Sequence, residues 1–350
     1  MQNINFLQQK ELFSLNALKC LRNEYLFNDC QLCFERCEEK ALGLFKNKIT
    51  LFKDSCTTCG ACIGSCPTQS LTLEHFDAVD FIFEFLDKQT NIIIEKIDVP
   101  HFGVFDSMIL ISLVLRTKHN IFLEYQTPIS QLHLDYIDEC IKSSNFFLAS
   151  IGFEHSLFLK PHKEELQSSR RNLFQSLIKS KDALLKEEHG SQKLNQTKKN
   201  LPSKFIFFKN SLKLVCEDIA NTFVSTHQLP LFNQKIDFNR CTNCIECITF
   251  CPTNALFQNE SKESIIFQSG KCIGCDICHQ VCKEGAIEEN YHLDLIEFMF
   301  DRSIKLVEFE YIKCQECNNA FIDKNRGNIC FVCSDYTNNF QGMFTLAKDL

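Results

Sequence analysis

The chain has 350 residues, enough for two or three domains, and its formal charge of −7, from 37 basic and 44 acidic side chains, disfavours a general nucleic-acid binder. Cysteine is the outlier: 22 thiols, mostly two or three residues apart, exceed what an ordinary intracellular protein carries and argue for metal. Phe is abundant at 34 and Trp is absent, a bias from which no function follows.

The opening stretch MQNINFLQQKELFSLNALK shows no basic region followed by an apolar run and no twin arginine. A secreted disulfide scaffold is therefore disfavoured and a cytoplasmic location expected. A first cysteine-rich block covers residues 1–75. In CTTCGACIGSCPTQSL, Cys56, Cys59, Cys62 and Cys66 stand as C-x-x-C-x-x-C-x-x-x-C before Pro67. Such a loop can curl round one face of an iron-sulfur cubane and reach three irons, while the fourth cysteine is carried toward a different cluster. The partner lies upstream, where Cys30-x-x-Cys33-x-x-x-Cys37 followed by EEKAL matches Cys59-x-x-Cys62-x-x-x-Cys66 followed by PTQSL. Only the first ligand is displaced, with Cys20 taking that place across a nine-residue insertion.

Residues 76–160 contain a single cysteine, Cys140. Strand-like NIIIEKI, a helical pattern from Val104 to Lys118, strand-like IFLEY, a helical pattern from Gln131 to Lys142 and strand-like FFLASI predict a small α/β domain with a parallel sheet. The apolar run MILISLVL is too short to span a bilayer and reads as a buried helix. Neither G-x-G-x-x-G nor G-x-x-x-x-G-K-[ST] occurs at the strand-to-helix turns, so the domain is expected to scaffold or dock. An enzymatic site in this insert would announce itself by a small molecule beside His101. Residues 161–204 form a basic amphipathic helix and linker, either a solvated face or a surface for an acidic redox partner or peripheral membrane contact.

A second cysteine-rich block covers 205–297, with CTNCIECITFCPTNAL (Cys241, Cys244, Cys247, Cys251) and CIGCDICHQVCKEGAI (Cys272, Cys275, Cys278, Cys282). Swapped ligation assigns four [4Fe-4S] clusters: Cys20, Cys30, Cys33 and Cys66; Cys56, Cys59, Cys62 and Cys37; Cys241, Cys244, Cys247 and Cys282; Cys272, Cys275, Cys278 and Cys251. At these residues the sequence resembles the bacterial-type 2[4Fe-4S] ferredoxin family twice over. It departs from that pattern at the insertion after Cys20 and at Glu38 and Lys283, where proline is usual. No Asp replaces a cysteine in the three regular motifs, so every iron is expected to be protein-capped, which favours electron passage over substrate chemistry.

Residues 298–350 hold Cys314-x2-Cys317-x12-Cys330-x2-Cys333, a zinc-ribbon-like spacing for one Zn or a single Fe. Cys140 and Cys216 remain as ordinary core thiols, His279 as a solvent-exposed side chain, and the other histidines do not gather into a ligand pattern. The expected fold class is α+β: two ferredoxin-like modules, the intervening α/β domain and the terminal ribbon. The expected function is an electron-transfer protein or oxidoreductase subunit, not itself an enzyme. The resemblance implies redox partners such as dehydrogenase or hydrogenase subunits, with no nucleic acid. The alternative is a regulatory or nucleic-acid-binding protein whose clusters sense or staple.

Overall fold

The computed structural model describes residues 13–25, 27–162, 201–227, 230–324 and 327–340. Most of the basic helix and linker expected over 161–204 lies outside these residues. The described chain is a mixed helix and sheet structure with seven small sheets.

In the first block, β1 (Phe13–Leu15) leads to the short helices α1 (Leu21–Glu24) and α2 (Leu32–Glu35), then to the hairpin β2 (Leu42–Phe45) and β3 (Lys48–Leu51). Lys46 and Asn47 turn this hairpin with φ of 50° and 63°, the left-handed pair that suits a two-residue connection between twisted strands. The block closes when β4 (Leu71–Leu73), just past Cys66, pairs antiparallel with β1.

The middle of the chain is built on α3 (Ala78–Leu86) and the parallel strands β5 (Ile92–Ile94), β6 (Ile121–Tyr125) and β7 (Leu157–Pro161). Between them run α4 (Ser107–Thr117) and α5 (Gln131–Ser150). Asp106 caps α4 by accepting the Ile109 N–H, and Ser130 caps α5 by accepting that of His133. The MILISLVL run is buried throughout within α4, as its lack of a polar face requires.

One expected strand is absent. FFLASI continues α5, because Phe147 and Leu148 extend the buried stripe of Tyr136, Ile137, Cys140, Ile141 and Ser144 at helical spacing. The helix stops only at Gly152, whose φ of 78° is the left-handed exit that glycine permits. The third strand is supplied instead by Leu157–Pro161.

Resuming at residue 201, the chain forms α6 (Ser203–Leu214), which packs against α4, with Arg116 lying over the Phe207 ring at 4.2 Å and bonding Ser211 at 2.7 Å. The second block runs from β8 (Phe223–Ser225) and β9 (Gln234–Ile236) through α7 (Glu246–Thr249), β10 (Leu256–Gln258), β11 (Ser264–Phe267) and α8 (Ile277–Val281) to β12 (Ile287–Glu289). As in the first block, the strand past the last cysteine, β12, pairs with the strand ahead of the first, β9. Then β13 (His292–Asp294) pairs with β8, α9 (Leu295–Met299) follows, and β14 (Ile304–Glu308) joins β11. The sheet of the second block thus takes a strand from beyond position 298. The chain continues through the pair β15 (Tyr311–Lys313) and β16 (Ala320–Ile322) to α10 (Phe331–Asp335). Among the described residues no helix is long and apolar enough to cross a membrane.

Phe147 of α5, Phe208 of α6 and Phe298 of α9 meet in series, the rings tilted and edge-on to one another at 5.8 Å each, tying the α/β unit to the second block. Phe208 is fully buried between them. Phe208→Ala should cost about 3–5 kcal/mol in denaturant-induced unfolding. Loss of under about 1 kcal/mol would mean the bridge is not packed as described.

Candidate iron-sulfur and metal centres

Burying anionic sulfur requires donors, and the backbone provides them at repeating positions. Each of the four cysteines that ends a motif accepts the N–H four residues on: Cys37 from Ala41 at 3.2 Å, Cys66 from Ser70 at 3.3 Å, Cys251 from Ala255 at 3.2 Å and Cys282 from Ala286 at 3.2 Å. The residue before each donor, Lys40, Gln69, Asn254 or Gly285, has positive φ and folds the chain back onto the sulfur. Within the three regular motifs, Thr58, Asn243 and Gly274 repeat one left-handed position, and Gly60, Ile245 and Asp276 another. Successive turns of this kind point N–H groups into a common concavity, a backbone nest for an anion.

The structure brings the predicted cysteines together in groups. One cavity of about 240 Å³ is lined by Cys37, Cys56, Cys59 and Cys62, and one of about 170 Å³ by Cys241, Cys244, Cys247 and Cys282. A smaller cavity of about 20 Å³ touches Cys251, Cys272, Cys275 and Cys278. Cys20, Cys30, Cys33 and Cys66 reveal their proximity through charge: burial, then the Cys66, Cys30 and Cys20 sulfurs, push the Cys33 thiol up to about 12. Burial, then Cys241, Cys244 and Cys282, push Cys247 up to about 12 as well. Burial and neighbouring sulfurs likewise raise Cys62 and Cys278. Such crowding disfavours the thiolate form, a penalty that is offset when a cation binds the sulfurs together. Cys62 also feels Cys33, and Cys278 feels Cys247, so within each block the two groups adjoin.

Cys66 differs from Cys20, Cys30 and Cys33 of its own group, which burial raises. Burial opposes its ionisation, but the Ser70 hydroxyl at 3.2 Å, the Ser70 N–H, the Thr68 hydroxyl and the Lys204 ammonium outweigh it and lower the thiol's pKa. Lys204, buried, donates to the carbonyls of Cys66 at 2.8 Å and Gly64 at 3.2 Å, and to Asp106 at 2.7 Å. No motif marks Lys204 or Ser70 in the sequence.

The nine-residue insertion after Cys20 has a specific place. It carries α1, then Phe27 and Asn28, onto the second block. There the Phe27 ring meets Phe250 edge-on at 5.3 Å, and Asn28 donates to the Cys275 carbonyl at 3.4 Å. Gln280 reaches back to Asp29 at 3.3 Å. Burial, then Glu24, Cys275 and Cys251, raise Tyr25 to about 12, which places its ring beside sulfurs of the second block.

The terminal cysteines form a different geometry. The ligand atoms of Cys314, Cys317, Cys330 and Cys333 all lie within 4.8 Å of one another, and the Cys317 and Cys330 sulfurs are 3.8 Å apart. Zn–S bonds of about 2.3 Å in a tetrahedron give a sulfur separation of about 3.8 Å, so one ion fits, whereas a cubane holds its ligands further apart. The Cys317 and Cys330 N–H groups pull the Cys314 thiol down, while the sulfurs facing Cys333 push it up.

Two histidines meet where none were expected to gather. His101 Nδ1 accepts the Gly103 N–H at 2.8 Å, so its Nε2 carries the proton and faces His133 Nδ1 at 3.1 Å. His133 Nε2 then donates to the Arg36 carbonyl at 3.1 Å. Glu95, its pKa raised by burial, lies 3.7 Å from His101. The pair adjoins the cavity of Cys37, Cys56, Cys59 and Cys62. His279 is half-buried and bonded to Gln234 at 2.8 Å, not solvent-exposed.

Residues 233–283 match the 4Fe-4S dicluster domain family. This part of the chain is ferredoxin-like. The chain is 36% identical over 50 residues to an uncharacterized ferredoxin of Methanocaldococcus jannaschii, covering 14% of this chain and 34% of that protein. It is 31% identical over 58 residues to an archaeal-type glutamate synthase (NADPH) of Thermotoga maritima, covering 17% of this chain and 11% of that protein. The chain therefore spans well under two thirds of these relatives. Iron-sulfur binding is supported, and with it an electron-transfer type of function.

Burial, then His133 and Lys96, lower His101 to about 3 from an ordinary 6.5. Its folded value is depressed, so the unfolded chain binds the extra proton and stability falls as pH drops from 6.5 toward 3. Between pH 6.5 and 5 this one group should remove about 1.5 kcal/mol. His101→Asn, which keeps an acceptor for Gly103, should flatten that part of the stability profile. An unchanged slope would show that His101 titrates normally.

Proposed function

We propose that this protein relays single electrons through four [4Fe-4S] clusters between redox proteins. The ligand sets are Cys20, Cys30, Cys33 and Cys66; Cys56, Cys59, Cys62 and Cys37; Cys241, Cys244, Cys247 and Cys282; and Cys272, Cys275, Cys278 and Cys251. One observation carries the proposal: at all four motif ends, the same N–H bond arms a cysteine that faces sulfurs of the sister motif. Each cluster, when bound, supplies a one-electron couple.

The chain's own residues set the order. Cys62 beside Cys33 joins the first two sets, and Cys247 beside Cys278 joins the last two. The inserted segment with Tyr25, Phe27 and Asn28 joins the blocks at Cys275. The resulting series runs from Cys37, Cys56, Cys59 and Cys62 through Cys66 and its set, across Asn28, to the Cys251 set, and ends at the Cys241 set. Cys244, exposed to solvent, makes that last set the natural contact for a redox partner. At the opposite end the α/β unit holds its block rigidly: Gly64 donates to the Gly103 carbonyl at 2.9 Å, and a Cβ on Gly103 would meet Ala61 Cα at 2.6 Å. We assign this unit a scaffolding and docking role and the terminal ribbon a structural zinc. Partners are dehydrogenase- or hydrogenase-type subunits.

Anaerobically purified protein should contain sixteen irons, matching sulfide and one zinc per chain. Twelve irons would remove one cluster, and no recoverable iron would overturn the proposal. Asn28→Leu should slow electron passage between the two blocks at least severalfold in rapid-mixing absorbance measurements, with the iron content unchanged. Equal rates would show that electrons do not cross there.

A further inference from the structure

The four motif ends can be compared with one another, since Cys37, Cys66, Cys251 and Cys282 occupy equivalent positions. Four residues on stand Ala41, Ser70, Ala255 and Ala286. Each gives its backbone N–H to the sulfur, but only the serine among them has a second donor. Its hydroxyl lies 3.2 Å from Cys66, in a fully buried setting. A metal-bound thiolate has no proton to give, so this hydroxyl and that of Thr68, at 3.6 Å, must donate; Thr253 stands in the same relation to Cys251 at 3.8 Å, so it is the serine that sets position 66 apart.

Position 66 also has a cation. The Lys204 ammonium, 7% exposed, sits against the Cys66 carbonyl and completes its shell with Gly64 and Asp106. Asp106 offsets part of that charge, but the ammonium also lies within hydrogen-bond reach of two carbonyls of the Cys66 loop and so brings positive charge to this set. A second buried cation, Arg22, donates to the Cys30 carbonyl at 3.2 Å in the same set. The neighbouring set across Asn28 has the opposite bias, because Asp276 lies beside Cys272 and Cys275. Hydrogen bonds to cluster sulfur and nearby positive charge both favour the reduced, more negative state, and burial strengthens each effect.

We propose that Ser70 and Lys204 are positioning residues that make the cluster completed by Cys66 the highest-potential station of the four. Electrons entering from either end then collect at the middle of the series, on the first-block side of the Asn28 junction. This deepens the four-cluster proposal and rests on it.

The test is potentiometric titration of anaerobic holoprotein, followed by visible absorbance and electron paramagnetic resonance. Ser70→Ala installs the residue found at the other three positions and is expected to fold. It should lower the highest of the four midpoints by roughly a tenfold change in the reduced-to-oxidised ratio, which is about 59 mV for one electron, and leave the other three in place. Lys204→Gln should shift the same step in the same direction. Four unmoved midpoints in Ser70→Ala, or movement confined to a lower-potential step, would overturn the inference while leaving the relay intact. Wild-type protein with no cluster at Cys66 would instead defeat the four-cluster proposal itself, and iron analysis of the same sample separates the two failures.

Discussion

The structure depends on one constraint: negatively charged sulfur has to be held inside protein without water to solvate it. Burial alone raises thiol pKa values through both blocks, and crowding by neighbouring sulfurs raises them further. The chain answers chiefly with backbone geometry, supplemented at the Cys66 set by the buried cations Lys204 and Arg22. Left-handed residues recur at fixed offsets from the cysteines, and the N–H groups they release converge on the sulfurs. The short strands and one-turn helices follow from this, since little regular structure can form between such closely spaced turns.

The cysteine groups were legible because ligand spacing is a local property. C-x-x-C-x-x-C-x-x-x-C leaves its imprint on a stretch running only from Cys56 to Cys66, and the two knuckles at Cys314 and Cys330 do the same for the terminal site. The α/β unit was legible in outline, with β5, α4 and β6 close to where their patterns placed them. FFLASI misled because two buried faces look alike over six residues, and only the longer stripe back to Tyr136 reveals the helix.

What could not be read were the contacts made across long separations. Lys204 reaches Cys66 over 138 residues, and Asn28 reaches Cys275 over 247. His101 and His133 pair through the fold of the α/β unit, and neither neighbourhood in sequence carries a ligand pattern. Ser70 was visible as a letter, but its meaning came only from the Ala41, Ala255 and Ala286 that stand in its place elsewhere.

The position of α6 has a consequence for how the protein can be divided. Lys204, near the start of this helix, grips the first block at Gly64 and Cys66 and the α/β unit at Asp106, while Lys209, one and a half turns on, is paired with Asp301 at 2.7 Å. A cut placed between Asp106 and Lys204 would strip the amino-terminal part of a counterion and leave the carboxy-terminal part with an orphaned cation. Though the two sulfur-rich blocks look like separable cassettes, this single helix makes them one folding unit.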